Sequence, residues 1–237
     1  MVAAALAAGV EFEALYVDVR AREDAPCADL VERARAVGVR VFVLGEGVLE
    51  RVADAATPQP VLGAVRLPLT RVEDVACDGL VLVLHDVRDP GNAGTLVRSA
   101  DASGASGVVF TGRSVDPFNS KTLRATAGSI FHVPVAVDSL ATTIASFVAR
   151  GANAYATVVR GGVSHRELEY STPVVIVIGN ESEGLDDDAI ALCHGTVSIE
   201  MVGRSESLNA GVAGSLIAFE SLWRRRNTAF PPLPPSL

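Results

Sequence analysis

Three polar clusters in this 237-residue chain carry residue types that chemistry requires. The first, DPGNAGTLVRS, sets Asn92 and Arg98 just after the apolar run LVLVLHDV. The second, IGNESEGLDDD, places Asn180, Glu181, Ser182 and Glu183 between Gly179 and Gly184. The third, IEMVGRSESLNAGVAG, leads through Ser205, Glu206, Ser207 and Asn209 into a run of small residues. A loop with one Asn and one early Arg after a buried strand could hold a nucleotide phosphate, hold another cofactor, or only make a sharp turn. The first answer is poorly supported. G-N-A-G is not G-x-G-x-x-G and no G-K-[ST] follows, while the carboxylates of the second cluster would repel a pyrophosphate. They would suit a cationic or amino-bearing ligand instead. In the third cluster, polar side chains fall where a helix N-terminus exposes unpaired N–H groups.

The elements that must position these clusters alternate between strand and helix. EALYVD (13–18) and VRVFVL (39–44) read as short buried strands, with ADLVERARAV (28–37) and EGVLERVADA (46–55) as amphipathic helices and PVLGAVRLP (60–68) closing a first unit. A boundary is expected near residue 72. Beyond it LVLVLHDV (80–87), GVVFTG (107–112), VPVAV (133–137), AYATVV (154–159), PVVIVIGN (173–180) and TVSIEM (196–201) are strand candidates. Helical patterns separate most of them, notably GTLVRSADAS, SLATTIASFVA and SLNAGVAGSLIAFESLWRR. Apolar strands without alternation, spaced by helices, predict an α/β fold with a mainly parallel sheet covered on both faces. Ligands bind such sheets outside the carboxyl ends of the strands, and all three clusters fall there. The final PPLPPSL (231–237) is expected to be a loose tail.

Composition bounds the reading. Hydrophobic residues make up 49% of the chain and mean hydropathy is +0.34, enough for a sizeable core. No apolar run approaches the ~20 residues that span a bilayer, and MVAAALAAGVEF lacks the basic start of a signal peptide. Cys27, Cys77 and Cys193 are odd in number and far apart, against a disulfide framework. A soluble cytoplasmic protein fits. The net charge of −8 opposes a generic nucleic-acid binder, although a local basic face can coexist with an acidic remainder. All basic residues but Lys121 are arginine, which suits phosphate recognition but is better explained by a GC-rich genome. The four histidines have no ligand-like spacing, and no metal site is expected.

Taken singly, each candidate has an ordinary explanation. Asn92 and Ser207 could be turn or capping residues. Arg98 could pair on the surface with Asp101, three residues on. Glu181 and Glu183 could be solvated loop charges, and Ala210, Gly211, Ala213 and Gly214 could serve only helix packing. The clusters become informative jointly.

Jointly, in order and spacing, they resemble the three motifs of the SpoU-type RNA ribose 2′-O-methyltransferases of the SPOUT superfamily. DPGNAGTLVRSADASG (89–104) resembles motif 1, GNESEGL (179–185) motif 2 and IEMVGRSESLNAGVA (199–213) motif 3. VDPFNSKTLRATAGSIFHVPV (115–135) is similar to the family between them, and the match runs from about residue 80 to 222. The resemblance implies a domain over 73–230 with a trefoil knot formed by motifs 2 and 3, an exception to the rule against threaded chains. It implies S-adenosylmethionine as cofactor, and a homodimer in which the partner completes each site. Gly179, Ile199 and Leu208 match positions whose backbone contacts the cofactor, and Met201 falls beside them. Arg98 matches the essential arginine; Asn92, Glu181, Ser207 and Asn209 match the other polar active-site positions. A guanidinium stays protonated, so Arg98 is expected to orient phosphate or stabilise a developing alkoxide as readily as to act as a base. Lys121 and Arg124 are candidates for RNA contacts, ahead of the Arg224–Arg226 run that a helix C-terminus favours anyway.

Residues 1–72 resemble the small ribosomal-protein-like RNA-recognition domain of many relatives, in which a basic stretch and strand usually precede the first helix; here either the subfamily is shorter or this sequence omits that piece. Glu200 stands where the family commonly has proline, altering stiffness and charge beside the cofactor. The reading is therefore an RNA 2′-O-methyltransferase, with 23S rRNA favoured as substrate. Its alternatives are a tRNA ribose methyltransferase and a non-enzymatic RNA-binding or ribosome-assembly protein. A dinucleotide enzyme is the weakest, and cofactor binding separates these classes.

Overall fold

A computed structural model of the chain describes residues 1–52 and 59–229. The chain divides into two compact units, the first ending at Pro68 and the second starting at Leu69. In the first, α1 (Val2–Ala7), β1 (Phe12–Asp18), α2 (Ala25–Ala36), β2 (Val41–Leu44), α3 (Val48–Val52) and β3 (Val61–Val65) follow in order. Strand β1 is central, parallel to β2 and antiparallel to β3. Leu15 and Val17 point to one face of β1 and pack with Cys27 and Ala34 of α2, as the period-two geometry of a strand requires. On the other face Tyr16 sits opposite Phe42, their rings stacked at 5.5 Å. The helix expected over 46–55 is Val48–Val52 as far as the described residues go, because residues 53–55 lie outside them. So does the PPLPPSL tail.

The second unit holds β4 (Leu80–His85), α4 (Pro90–Ser103), β5 (Gly107–Thr111), α5 (Ser120–Thr126), β6 (Val135–Val137), α6 (Leu140–Ala149), β7 (Asn153–Thr157), β8 (Val163–Ser164), β9 (Val174–Ile178), α7 (Asp187–Ala191), β10 (Gly195–Ser198) and α8 (Ala210–Ala229). Its seven strands form one sheet in the order β6-β5-β4-β9-β7-β10-β8, with every pairing parallel. The unbroken apolar strands follow from burial on both faces. Leu82, Leu84, Ile176 and Phe110 pack on one side against Leu96 and Val97 of α4 and Ile217 of α8. Val81, Val83, Val175 and Val177 pack on the other side against Ile144 and Phe147 of α6. Each such side chain contributes roughly 1.5–3 kcal/mol when fully buried, so β4 and β9 form the fixed platform of the unit.

Two expected boundaries move for identifiable reasons. The helix expected from Gly94 begins at Pro90, so Pro-Gly-Asn forms the first turn of α4. Asp89 caps α4 by accepting from the backbone N–H of Asn92 at 2.7 Å, and Pro90 takes the position where a missing N–H costs nothing. Gly104, left-handed at φ +64, ends the helix. The strand expected over 196–201 ends at Ser198, since its ladder partners in β7 and β8 stop there. Ile199 and Met201 therefore lie in a loop. The two-residue β8 and the short helices α5 and α7 are too brief for periodicity to reveal.

Helix α4 is clamped between α5 and α8 by residues without bulk. A Cβ on Gly94 would stand 2.3 Å from the Cβ of Ala125 and 2.8 Å from its backbone carbon. A Gly94→Ala variant should gain about 1 kcal/mol of helix propensity but lose about 1–3 kcal/mol to overpacking against backbone. Chemical denaturation should show a lower midpoint, and an unchanged or higher one would contradict this packing.

Candidate active site

The three polar clusters converge through one chain of hydrogen bonds. The Nδ2 of Asn209 donates to Oδ1 of Asn92 at 2.8 Å, and the Nδ2 of Asn92 donates to Oε1 of Glu181 at 3.0 Å. Each link is placed by local structure. Asn92 sits in the first turn of α4, 8% exposed, with its backbone held by the Asp89 cap. Asn209 caps α8, its Oδ1 accepting from the N–H of Val212 at 3.1 Å. Gly211 eases the crossing, because a Cβ there would crowd Oδ1 of Asn92 at 3.3 Å. Farther along, the hydroxyls of Ser99 and Ser215 bond at 2.7 Å and tie α4 to α8.

Glu181 closes the loop that follows β9. Its carboxylate also accepts from the backbone N–H of Asp89 at 3.2 Å and of Arg88 at 3.4 Å. Asn180 and Gly184 exchange backbone hydrogen bonds, with Gly184 at φ +73, a conformation glycine adopts without strain. The family resemblance implies that Gly179 lets a cofactor approach the backbone closely. The close approach found is the loop's own, since a Cβ there would stand 2.5 Å from the carbonyl carbon of Gly184.

These loops wall a cleft of about 220 Å³ at the carboxyl ends of β9, β7 and β10. Gly179, Glu181, Ile199, Met201, Ser207 and Leu208 line it, together with Ile178 and Val197 from the strand ends and Ala213 and Ile217 from α8. Its floor is apolar and its rim polar, with Glu181 and Glu183 at one edge. That arrangement fits a flat heterocycle joined to a cationic, amino-bearing tail. Thr157 at the end of β7 also lines it, and nothing in its sequence context marks it out.

Arg98 is not part of this cleft. It lies six residues beyond Asn92 on α4, about 120° around the helix at ~100° per residue, on the exposed side with Gly91, Thr95 and Ala102. The surface pair with Asp101 does not form, because Asp101 faces His132 at 3.2 Å. Lys121 and Arg124 are exposed on α5, the helix packed against α4. Glu200 is exposed in the loop after β10. Asp89, which holds both Asn92 and the edge of the Glu181 loop, escaped the sequence reading. Its Asp-Pro pairing ahead of an amphipathic run was the available signal.

Desolvation raises the proton affinity of Glu181. The Asn92 amide and backbone N–H groups, those of Asp89 and Arg88 among them, outweigh it and hold the carboxyl below its ordinary 4.5. A depressed carboxyl adds stability above its unfolded pKa that is lost as pH falls through its folded pKa. The urea midpoint of the protein should therefore exceed that of Glu181→Gln by a constant margin above about pH 5.5, narrowing below about pH 4.5. A margin independent of pH would remove the carboxylate from this role.

The residues from 79 to 219 match the family model of the SpoU rRNA methylase family. The chain is 32% identical over 182 residues to the 23S rRNA (guanosine(2553)-2′-O)-methyltransferase RlmP of Bacillus subtilis, covering 77% of this chain and 72% of that one. It is 33% identical over 176 residues to the 23S rRNA (uridine(2479)-2′-O)-methyltransferase of Streptomyces viridochromogenes, covering 71% and 61%. The AdoMet-bound rRNA methyltransferase of Sinorhizobium meliloti superimposes with a TM-score of 0.82 at 32% identity, over 95% of this chain and 84% of that one. A family match over more than half of the chain, spanning the three loops that the hydrogen bonds bring together, places the chain in the SpoU rRNA methylase family.

Proposed function

We propose that the chain is an S-adenosylmethionine-dependent methyltransferase acting on a ribose 2′-hydroxyl of RNA, with 23S ribosomal RNA as its substrate. The observation that carries this reading is the Asn209–Asn92–Glu181 chain, which joins the three motif loops beside a cleft with an apolar floor at the strand ends. Relatives named for 23S rRNA methylation favour that RNA over tRNA.

S-adenosylmethionine supplies an electrophilic methyl group on a sulfonium. The chain's own residues hold and orient. Ile199, Met201 and Leu208, with the backbone at Gly179, would flank the adenine and exclude water from it. Glu181, Asn92 and Asn209 keep the three loops in one register, the positioning on which an in-line displacement depends. Ser207 offers a hydroxyl at the cleft edge for the ribose or the cofactor tail. Arg98 would anchor an RNA phosphate or stabilise the developing alkoxide, a task that needs a cation and no proton loss. Lys121 and Arg124, one helix away, would extend the RNA track.

Because Arg98 points away from the cleft of its own chain, a second copy is needed to complete the site. Val212, Leu216, Phe219 and Trp223 form an exposed apolar stripe on α8 at the spacing of one helix face. The small residues around Arg98 on α4 leave room for a close neighbour. A homodimer through these helices would bring Arg98 of one copy to the cleft of the other. In the first unit the stacked Tyr16 and Phe42, the latter 45% exposed, suit recognition of unpaired bases. We further infer that the segments carrying motifs 2 and 3 are threaded as a trefoil knot; the insertion of β9 between β4 and β7 supports that path.

Calorimetry with S-adenosylmethionine should give the protein and its Arg98→Ala variant affinities within about twofold. Methyl transfer to unmodified 23S rRNA should fall by about 10²–10³ in the variant, the scale of one lost stabilising donor. Absence of cofactor binding in the unaltered protein, even with RNA present, would favour a non-enzymatic RNA-binding role. Leu216→Asp should convert a dimer to a monomer in sedimentation and abolish transfer, and a dimer that persists would contradict the proposed interface.

A further inference from the structure

One group of charged side chains beside the cleft is not explained by the reaction. At the carboxyl end of β4, Asp86 adopts a left-handed backbone conformation at φ 57, one of two non-glycine residues with positive φ among the described residues. Asp tolerates this conformation better than most residues, and such positions concentrate at functional sites. The conformation turns its carboxylate toward the loop after β5. There Oδ1 accepts from the backbone N–H of Arg113 at 2.6 Å, and Oδ2 accepts from its Nη2 at 3.1 Å. Gly112 makes room for this contact, because a Cβ there would lie 2.3 Å from Oδ1.

A second guanidinium approaches the same carboxylate. The Nη2 of Arg88 stands 4.0 Å from Oδ2 of Asp86. Two cations thus converge on one oxygen, and the trio keeps a net positive charge. Both arginine side chains are largely in solvent, Arg113 at 76% and Arg88 at 51%, while the carboxylate is 19% exposed. One carboxylate offsets only one of the two guanidinium groups, and both are exposed enough to meet a further anion. Surface entropy opposes fixing a long arginine for an exposed ion pair alone. Arg113 is anchored by two hydrogen bonds, Arg88 only approaches at 4.0 Å, and both guanidinium groups are largely exposed to water.

The trio is joined to the candidate active site through backbone. The carbonyl of Asp86 accepts from Nδ2 of Asn180 at 2.9 Å, and the N–H of Arg88 donates to Glu181. A ligand held by the guanidinium groups would therefore lie beside the rim of the cleft. Planar guanidinium forks match phosphate oxygens geometrically, and RNA supplies phosphates on both sides of any ribose presented for methylation.

We propose that Arg88 and Arg113, oriented by Asp86, form a grip for an RNA backbone phosphate next to the target nucleotide. The proposal rests on the RNA methyltransferase reading, and the binding and transfer measurements separate the two. Filter binding of in vitro transcribed 23S rRNA should be measured across a salt series for the unaltered protein, Arg88→Ala, Arg113→Ala, the double variant and Arg113→Lys. Arg71→Ala serves as control, since Arg71 is an exposed arginine paired with Asp74 elsewhere on the second unit. Each single alanine variant should weaken RNA binding about three- to tenfold and lower the slope of log K against log salt by about 0.7–0.9 for each phosphate no longer neutralised. Arg113→Lys should recover part of that affinity, KM for RNA should rise more than kcat falls, and S-adenosylmethionine affinity should stay within about twofold. RNA affinity and salt slope unchanged in the double variant would overturn the grip. An equal weakening in Arg71→Ala would do the same by showing a general charge effect. If the unaltered protein binds the transcript but transfers no methyl group, the enzymatic reading fails and the binding series alone decides the grip.

Discussion

The geometry of the candidate site depends on two side-chain amides meeting across 117 residues of sequence. Asn92 and Asn209 are each committed at the start of a helix, one in the first turn of α4 and one capping α8. Their hydrogen bond fixes those two helix starts against each other. Glu181 then adds the third loop to the same line. An amide is well suited to the centre of such a chain because it donates and accepts at once. Asn92 passes the connection from Asn209 to Glu181 with both ends of one side chain. A carboxylate at position 92 could not donate, and an alcohol could not span both neighbours.

That line rests on a sheet whose central strands are packed on both faces. Buried on both faces, β4 and β9 bring the ends of motifs 1 and 2 to adjacent positions at one edge. The helices then contribute specificity of placement through close contacts, against backbone at Gly94, against the Leu96 and Ile178 side chains at Gly214 and, less tightly, against the two asparagines at Gly211. Small residues in α8 thus serve two ends. They let α4 approach, and they leave the cleft wall low enough for a bulky ligand.

Much of this was legible in the sequence because it follows from simple periodicities. Unbroken apolar strands between amphipathic segments announced a parallel sheet, and ligand chemistry was sought at the strand ends for that reason. The residues that share the cleft were legible only as an ordered set of motifs, since Asn92, Glu181 and Asn209 each look ordinary alone. What escaped was local. Whether Pro-Gly-Asn precedes a helix or begins one depends on the Asp89 cap, and a strand's end depends on where its neighbours stop. The outward direction of Arg98 was legible only as one alternative, a surface position on its helix, and it follows from the six-residue spacing from Asn92, about 120° around the helix.

The placement of Asn209 has a consequence for when the protein can act. Synthesis proceeds from the N-terminus, so the platform strands and α4 are complete well before α8 leaves the ribosome. Until residue 209 arrives, the amide of Asn92 lacks its partner and the cleft lacks the wall that α8 provides. Closure of the site therefore waits on the helix that supplies both the partner amide and part of the cleft wall.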